Sequence, residues 1–326
     1  MGRLIRAVRA GAIAASLLLS PAGLAQSWPA KPIRVVLPFP PGGGGIDVMA
    51  RLIGQKVTET YGQPVIVENR SGASGAIAGE FVARSAPDGY TFFFTTPGII
   101  VNSIFMGGKL PYDALKDFTP VTAVVEPVTC MVVSATLPVN SVRELVELAK
   151  KNPDKLFYAS NGIASFFHLV GELFNQTAGI SMVHVPYKGA PPVVQDLLTG
   201  RIHMAMNSIS SMSPQLRAGK LKVLSVLEGS RFRGMSDVPT LGETYAGFEK
   251  PASWWAFLGP AGLPAPIATR WQGEVAKVVH APDFQKSLEQ EGLTPIANTP
   301  EQFASMYRAG FDVYARAYKT AGIKPE

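Results

Sequence analysis

Hydrophobic and polar positions fall into short blocks along this chain, and the blocks predict buried strands joined to amphipathic helices by glycine-rich turns. Residues 33–37 read as a buried strand, stopped by Pro38-Phe39-Pro40-Pro41 and four glycines. A helical period follows from Asp47, with Val48, Leu52, Ile53 and Val57 on one face and Arg51, Gln55 and Glu59 off it. Asp47 suits the N-cap or first turn, where a carboxylate complements the positive helix end. Residues 65–67 give a second strand, 71–75 a second glycine-rich turn, 76–85 a helix and 90–95 a third strand. The same grammar restarts after Asp117. Strands are expected at 128–133, 156–159, 182–185, 203–206 and 221–227, with helices beginning near Ser165, Pro192 and Ser211. Ser141 with Glu144 three residues on reads as a capping box opening a helix over 141–151. A strand at 254–258 and helices over 265–280, 282–291 and 300–321 close the chain. Strand, glycine turn and helix recurring at this pace predict an α/β protein with a parallel sheet covered on both faces.

Composition narrows the function classes. The chain has 326 residues, which suggests about two domains. At 47% hydrophobic and 17% charged residues it can build sizeable cores and is not intrinsically disordered. A single cysteine excludes a disulfide framework and a cysteine metal cluster. Cys130, in an apolar run, reads as a small buried hydrophobe. Arg3, Arg6 and Arg9, a short apolar stretch over 11–19 and Gly23-Leu24-Ala25 together read as a secretory signal peptide over 1–25, cleaved before Gln26. That apolar stretch is about half the roughly 20 residues a membrane span needs. Its removal leaves 27 basic against 24 acidic residues, and this weak balance without a basic cluster argues against nucleic acid as a partner. The mature chain is expected to be soluble and periplasmic.

The turn Pro41-Gly42-Gly43-Gly44-Gly45-Ile46-Asp47 is the strongest local candidate for chemistry. Such a strand-to-helix turn lets backbone N–H groups and a helix dipole face an anion. It matches neither a Walker A loop nor a dinucleotide fingerprint. No nucleophile elbow or zinc motif occurs, and the four histidines are scattered, so neither a catalytic set nor a metal site is expected. His184 and His203 read as structural; His168, opening a helix after a small-residue turn, could face a cleft. Trp254 and Trp255 place one ring on each face of a strand, with core packing the default reading and a cleft-facing ring the alternative.

The chain resembles the Bug family of periplasmic solute-binding proteins, the receptor subunits of tripartite tricarboxylate transporters. The resemblance rests on motifs in order along nearly the whole mature chain. They include Trp28-Pro29-x-Lys31-Pro32-Ile33, Pro38-Phe39-x-Pro41-Gly42-Gly43-Gly44, Val67-Glu68-Asn69-Arg70, Ala86-Pro87-Asp88-Gly89-Tyr90-Thr91, Val185-Pro186-Tyr187-Lys188-Gly189 and Asp237-Val238-Pro239-Thr240. It implies a two-domain Venus flytrap of the type II periplasmic-binding-protein fold. Domain 1 would take residues 26–124 and 228–326, and domain 2 residues 125–227. It further implies a receptor without cofactor or metal, expected as a monomer, that holds a small carboxylate and delivers it to integral-membrane permease subunits. The ligand site implied is Phe39, Gly43, Gly44, Gly45, Ile46 and Asp47 on the first loop, with Tyr187, Gly189 and Ala190 facing it. Thr95, Thr96, Ser160, Asn161, Ser165, His168 and Asn207 would supply the walls. The chain departs from the family pattern at Ile46, where threonine is usual, at Asn207, where aspartate is common, and at Phe166-Phe167, which replace small polar residues. Those departures favour an aromatic or apolar acid over an amino acid. Two other readings are a sensor with the same site and an exported lyase using His168 as base.

Overall fold

The computed structural model describes residues 28–42 and 45–323; the expected signal peptide and Gly43 and Gly44 lie outside them. Eleven strands among the described residues form two sheets. The first, ordered β11-β4-β10-β3-β1-β2, comprises β1 (Ile33–Leu37), β2 (Val65–Asn69), β3 (Thr91–Thr95), β4 (Phe118–Pro127), β10 (Trp255–Pro260) and β11 (Leu293–Pro295). The second, ordered β7-β6-β8-β5-β9, comprises β5 (Thr129–Ser134), β6 (Phe157–Ser160), β7 (Val183–Pro186), β8 (Met204–Ser208) and β9 (Leu221–Val226).

Neither sheet is purely parallel, which corrects the expectation of a parallel sheet. β1 pairs parallel with β2 and β3, and β6 with β7 and β8. β10 is antiparallel to β3 and β4, and β5 is antiparallel to β8 and β9. The reason is topological. Parallel neighbours need a helical crossover within one lobe, whereas β4, β5 and β10 are strands by which the chain passes between lobes. β4, β11 and the helix after β3 had no distinct signal in the sequence.

Helices follow the strands: α1 (Gly45–Tyr61), α2 (Ala76–Ala83), α3 (Gly98–Phe105), α4 (Val142–Lys151), α5 (Phe166–Ala178), α6 (Ala190–Thr199) and α7 (Ile209–Arg217). Then come α8 (Leu241–Thr244), α9 (Ala265–Val279), α10 (Pro282–Gln290) and α11 (Pro300–Thr320). On α1 the buried face is Ile46, Asp47, Met49, Ala50, Ile53 and Val57, while Val48 and Leu52 are exposed. The expected face was therefore rotated, because a stripe through 46, 49, 50, 53 and 57 fits the helical period equally well. At α4 the Ser141 hydroxyl accepts from Glu144 N at 3.2 Å, but the Glu144 carboxylate accepts from Asn140 N at 2.7 Å rather than from the N-cap itself. The reciprocal half of the expected capping box is displaced by one residue. Cys130 is fully buried, and burial pushes its thiol pKa up.

After β9 the chain stays beside the second sheet: α8 packs on α4, and the Tyr245 ring meets Phe174 edge-on at 6.2 Å, a spacing usual for aromatic pairs. It returns to the first sheet through Pro251 to Trp254. One hydrophobic cluster runs through both lobes, because α11 packs on β4 and α3 of the first and on α5 of the second.

Candidate functional site

Six strands end at one place. β1, β2 and β3 lead into α1, α2 and α3, and β6, β7 and β8 lead into α5, α6 and α7. Their loops face each other across a cavity of about 460 Å³ between the two sheets. The starts of all six helices reach its wall, through Ile46, Gly75, Gly98, Ser165, Gly189 and Ser208. Carboxyl ends of parallel strands are the usual ligand crevice in open α/β sheets. Helix starts also present backbone N–H groups and positive dipole ends.

Of the residues expected at the site, Phe39, Ile46, Thr95, Thr96, Asn161, Ser165, Tyr187, Gly189 and Asn207 line this cavity. Each is held by local chemistry. Thr96 Oγ1 accepts from Gly98 N at 3.2 Å at the start of α3, and Ser165 Oγ accepts from His168 N at 3.2 Å as the N-cap of α5. Asn207 is buried; its Oδ1 accepts from Ser208 N at 2.9 Å and its Nδ2 donates to Asn161 Oδ1 at 3.4 Å. Tyr187 Oη donates to Asp196 at 2.7 Å; burial, with the Asp196 carboxylate, raises its pKa to about 12. Gly189 has φ +105°, and a Cβ there would lie 3.4 Å from Pro40 Cδ of the facing lobe.

Five expected residues lie outside the wall. Gly45 sits where the lobes approach: a Cβ on it would come within 2.5 Å of Ser210 Oγ and 2.9 Å of Trp255 Cη2. Asp47 is turned into the protein, accepting from Gly42 N, from Asn69 Nδ2 and from Arg51. Burial pushes its pKa up, but the hydrogen bonds from Arg51, Asn69 and Gly42 outweigh that and hold it below the ordinary value. Ala190 is buried in the first turn of α6. Ser160 and His168 form a layer behind the wall. Ser160 Oγ hydrogen-bonds His184 Nε2 at 2.6 Å, and the His168 and His184 rings stack at 4.0 Å. His168 Nδ1 accepts from Ala164 N at 3.2 Å, so that atom is committed to the backbone. Burial lowers the pKa of His168 to about 4 and, aided by His168, that of His184 to about 3. The sequence reads His184 as a structural histidine; its partnership with Ser160 and His168 is a tertiary fact.

The site reading missed the loop from Ser71 to Gly75, the rings of Phe93 and Tyr112, and the crossing segments at Thr129 and Ser253, and it gave a cleft-facing ring of Trp254 or Trp255 only as the alternative. The first had a signal, since a glycine-rich turn after a strand was already recognised there. Gly72, Ala73, Ser74 and Gly75 all have positive φ, which turns this stretch of backbone toward the cavity. Trp254, just before β10, and Trp255, its first residue, fall in different core clusters, and both reach the wall. Phe166 and Phe167 line it too, with rings edge-on at 5.4 Å. Lys188, exposed, is the one charged side chain of the wall among the described residues.

Comparison with known proteins places this architecture. Residues 49–313 match the model of the tripartite tricarboxylate transporter family receptor. The chain is 30% identical over 301 residues to protein BugT of Bordetella pertussis, covering 92% of each. It is similar to the solved structure of Rpa4515 of R. palustris with adipate, at 35% identity and TM-score 0.88, over 92% of this chain and all of that one. MatC of Rhodopseudomonas palustris with bound malate is similar at 28% identity and TM-score 0.82, over 89% of this chain and 99% of that one. A match over most of its length, together with two lobes closing on a cavity ringed by helix starts, makes this chain a member of the Bug-type receptor family of tripartite tricarboxylate transporters, a family of solute-binding proteins.

Proposed function

We propose that this protein is a periplasmic receptor, without catalytic activity, that captures a small carboxylate between its lobes and delivers it to the membrane permease subunits of a tripartite transporter. The observation that carries the reading is the convergence of six helix starts on one cavity whose wall, among the described residues, carries a single exposed charge. Neutral backbone donors hold an anion well once closure removes water. The adipate of Rpa4515 and the malate of MatC support a carboxylate. Phe166, Phe167 and the two tryptophans offer apolar area, and neutral Asn207 offers no carboxylate to a ligand ammonium; both favour an acid with an apolar body over an amino acid. On this reading the moving units are the two lobes, with Thr95, Thr96, Asn161, Ser165, Tyr187 and Gly189 contacting the ligand.

Thermal shift across adipate, malate, citrate, glutamate, benzoate, terephthalate and an uncharged sugar, with recovery of intact ligand afterwards, tests it. A receptor gains roughly 2.7 kcal/mol at a ligand concentration of 100 Kd and consumes nothing. Best stabilisation by the sugar overturns the carboxylate; best stabilisation by glutamate overturns the apolar preference. Conversion of the ligand overturns the receptor.

A further inference from the structure

Lys250 is the most buried ammonium in the ion pairs of the described residues, with 3% of its side chain exposed. It lies outside the cavity, on the segment that returns the chain to the first sheet. Its Nζ pairs with Glu228 Oε2 at 2.7 Å and donates to Ser253 Oγ at 3.0 Å. The other oxygen of Glu228 accepts from both Thr129 N, at 2.7 Å, and Thr129 Oγ1, at 2.8 Å. Ser253 Oγ in turn donates to the Pro127 carbonyl at 3.3 Å. Thr129 opens β5 and Glu228 lies two residues past β9, both by the second sheet, while Pro127 ends β4 and Ser253 lies two residues before β10, both by the first. Lys250 therefore joins the two lobes at the point where the chain crosses between them. Thr129, Ser253 and Pro127 all belong to the cavity wall.

Burial of an ion pair gives little net stability, because desolvation offsets the Coulombic gain, and apolar replacements are often as stable. Its better-attested effect is to select one arrangement among several. Here the selection acts on geometry: one Glu228 oxygen holds Thr129 of β5 and the other holds Lys250, which donates on to Ser253, so the chain of bonds is satisfied at one separation of Thr129 and Ser253. Half-buried Glu126 stands near enough to feel both charges. Burial pushes its pKa up, Lys250 pulls it down and Glu228 pushes it up again.

We propose that Lys250 and Glu228 are positioning residues of the cleft: the pair clasps the crossing strands and sets the angle between the lobes, holding Thr129 and Ser253 in the wall. The ligand-free protein tests this, so the outcome is independent of which ligand is bound and leaves the receptor reading untouched. Spin labels on Gln55→Cys in α1 and Lys151→Cys in α4, both exposed, report the distance between lobes, and buried Cys130 stays unlabelled. Lys250→Met with Glu228→Leu removes both charges together, and Thr129→Val removes one hydrogen bond of the clasp. The expected result is cooperative unfolding in both variants, with the distance distribution broadened or given a second maximum, more in the double variant. Lys250→Arg, which keeps the charge, retains the parent distribution. Unchanged distributions in folded variants overturn the proposal, and so does loss of folding in the double variant, which would make the pair a structural brace.

Discussion

The Ser74 hydroxyl of the first lobe donates to the Ile163 carbonyl of the second at 2.5 Å, joining two wall loops across the cavity. Ser74 reaches it from a left-handed backbone conformation, φ 50° and ψ 34°, between two glycines of positive φ. Gly162 answers on the other side: a Cβ there would lie 3.0 Å from Ser74 Oγ. Ser74→Ala removes one bond that exists only with the lobes together. It is expected to weaken the best ligand of the thermal-shift panel about fivefold, since a neutral hydrogen bond contributes about 1 kcal/mol. Titration calorimetry, with an unchanged melting temperature of the ligand-free protein, checks this.

Gly45→Val is expected to weaken ligand binding more than Ser74→Ala. The added Cβ would lie within 2.5 Å of Ser210 Oγ and 2.9 Å of Trp255 Cη2, so the lobes must part or Ser210 must turn away. The glycine is required by the approach of the second lobe. Pairing the variant with Ser210→Gly tests that reason directly: partial recovery of affinity in the pair supports it, and equal affinity of Gly45→Val and the parent protein refutes it.

Asp47→Ala should lower stability by about 1–3 kcal/mol, because it leaves the Gly42 N–H, the Asn69 amide and Arg51 without their acceptor. The effect is on folding of the loop into α1, so urea unfolding measures it. A variant as stable as the parent would show that water replaces the carboxylate at no cost.

Stability should fall as pH drops below 6.5. His168 and His184 stay neutral in the folded protein down to about 4 and 3, whereas in the unfolded chain they take up protons near 6.5. The unfolded state thus binds more protons across this interval, and the stability present above pH 6.5 drains away as the pH approaches 4. Urea unfolding at pH 7.5, 6 and 5 reads the slope. His184→Gln, which removes one titrating ring from the stack, should reduce it; the same slope in both proteins would assign the pH dependence elsewhere.

Asn207→Asp should lower the affinity for an apolar acid relative to that for glutamate, whose ammonium can pair with the new carboxylate. Asn207 is buried in the wall, and a charge placed there would face the ligand's anion with little solvent to screen it. Competition between the panel's best acid and glutamate, measured on both proteins, separates repulsion of the anion from a gain for the ammonium of an amino acid.

Much of this protein was readable along the chain. Short, mostly apolar runs such as Ile33–Leu37, buried at every position but Arg34, form strands because such a stretch can satisfy its backbone in a covered sheet. Glycines and capping residues such as Ser141 and Ser165 mark where helices start, because those are local backbone requirements. The wall residues Phe39, Ile46, Thr95, Thr96, Asn161, Ser165, Tyr187, Gly189 and Asn207 came from the family resemblance, and they lie at strand ends, in the loops that follow or in a helix's first turn. What a side chain does once there was decided only by the tertiary structure. Asp47 turned away to Asn69, His168 went behind the wall onto His184, and Val48 and Leu52 faced solvent, because each answer depends on an element distant in sequence. The same holds for the antiparallel entry of β4, β5 and β10 and for the clasp of Lys250 on Glu228, Thr129 and Ser253. Periodicity and turn chemistry are properties of neighbours along the chain; the pairing of two lobes, and the charges and rings that meet between them, belong to contacts that no local pattern encodes.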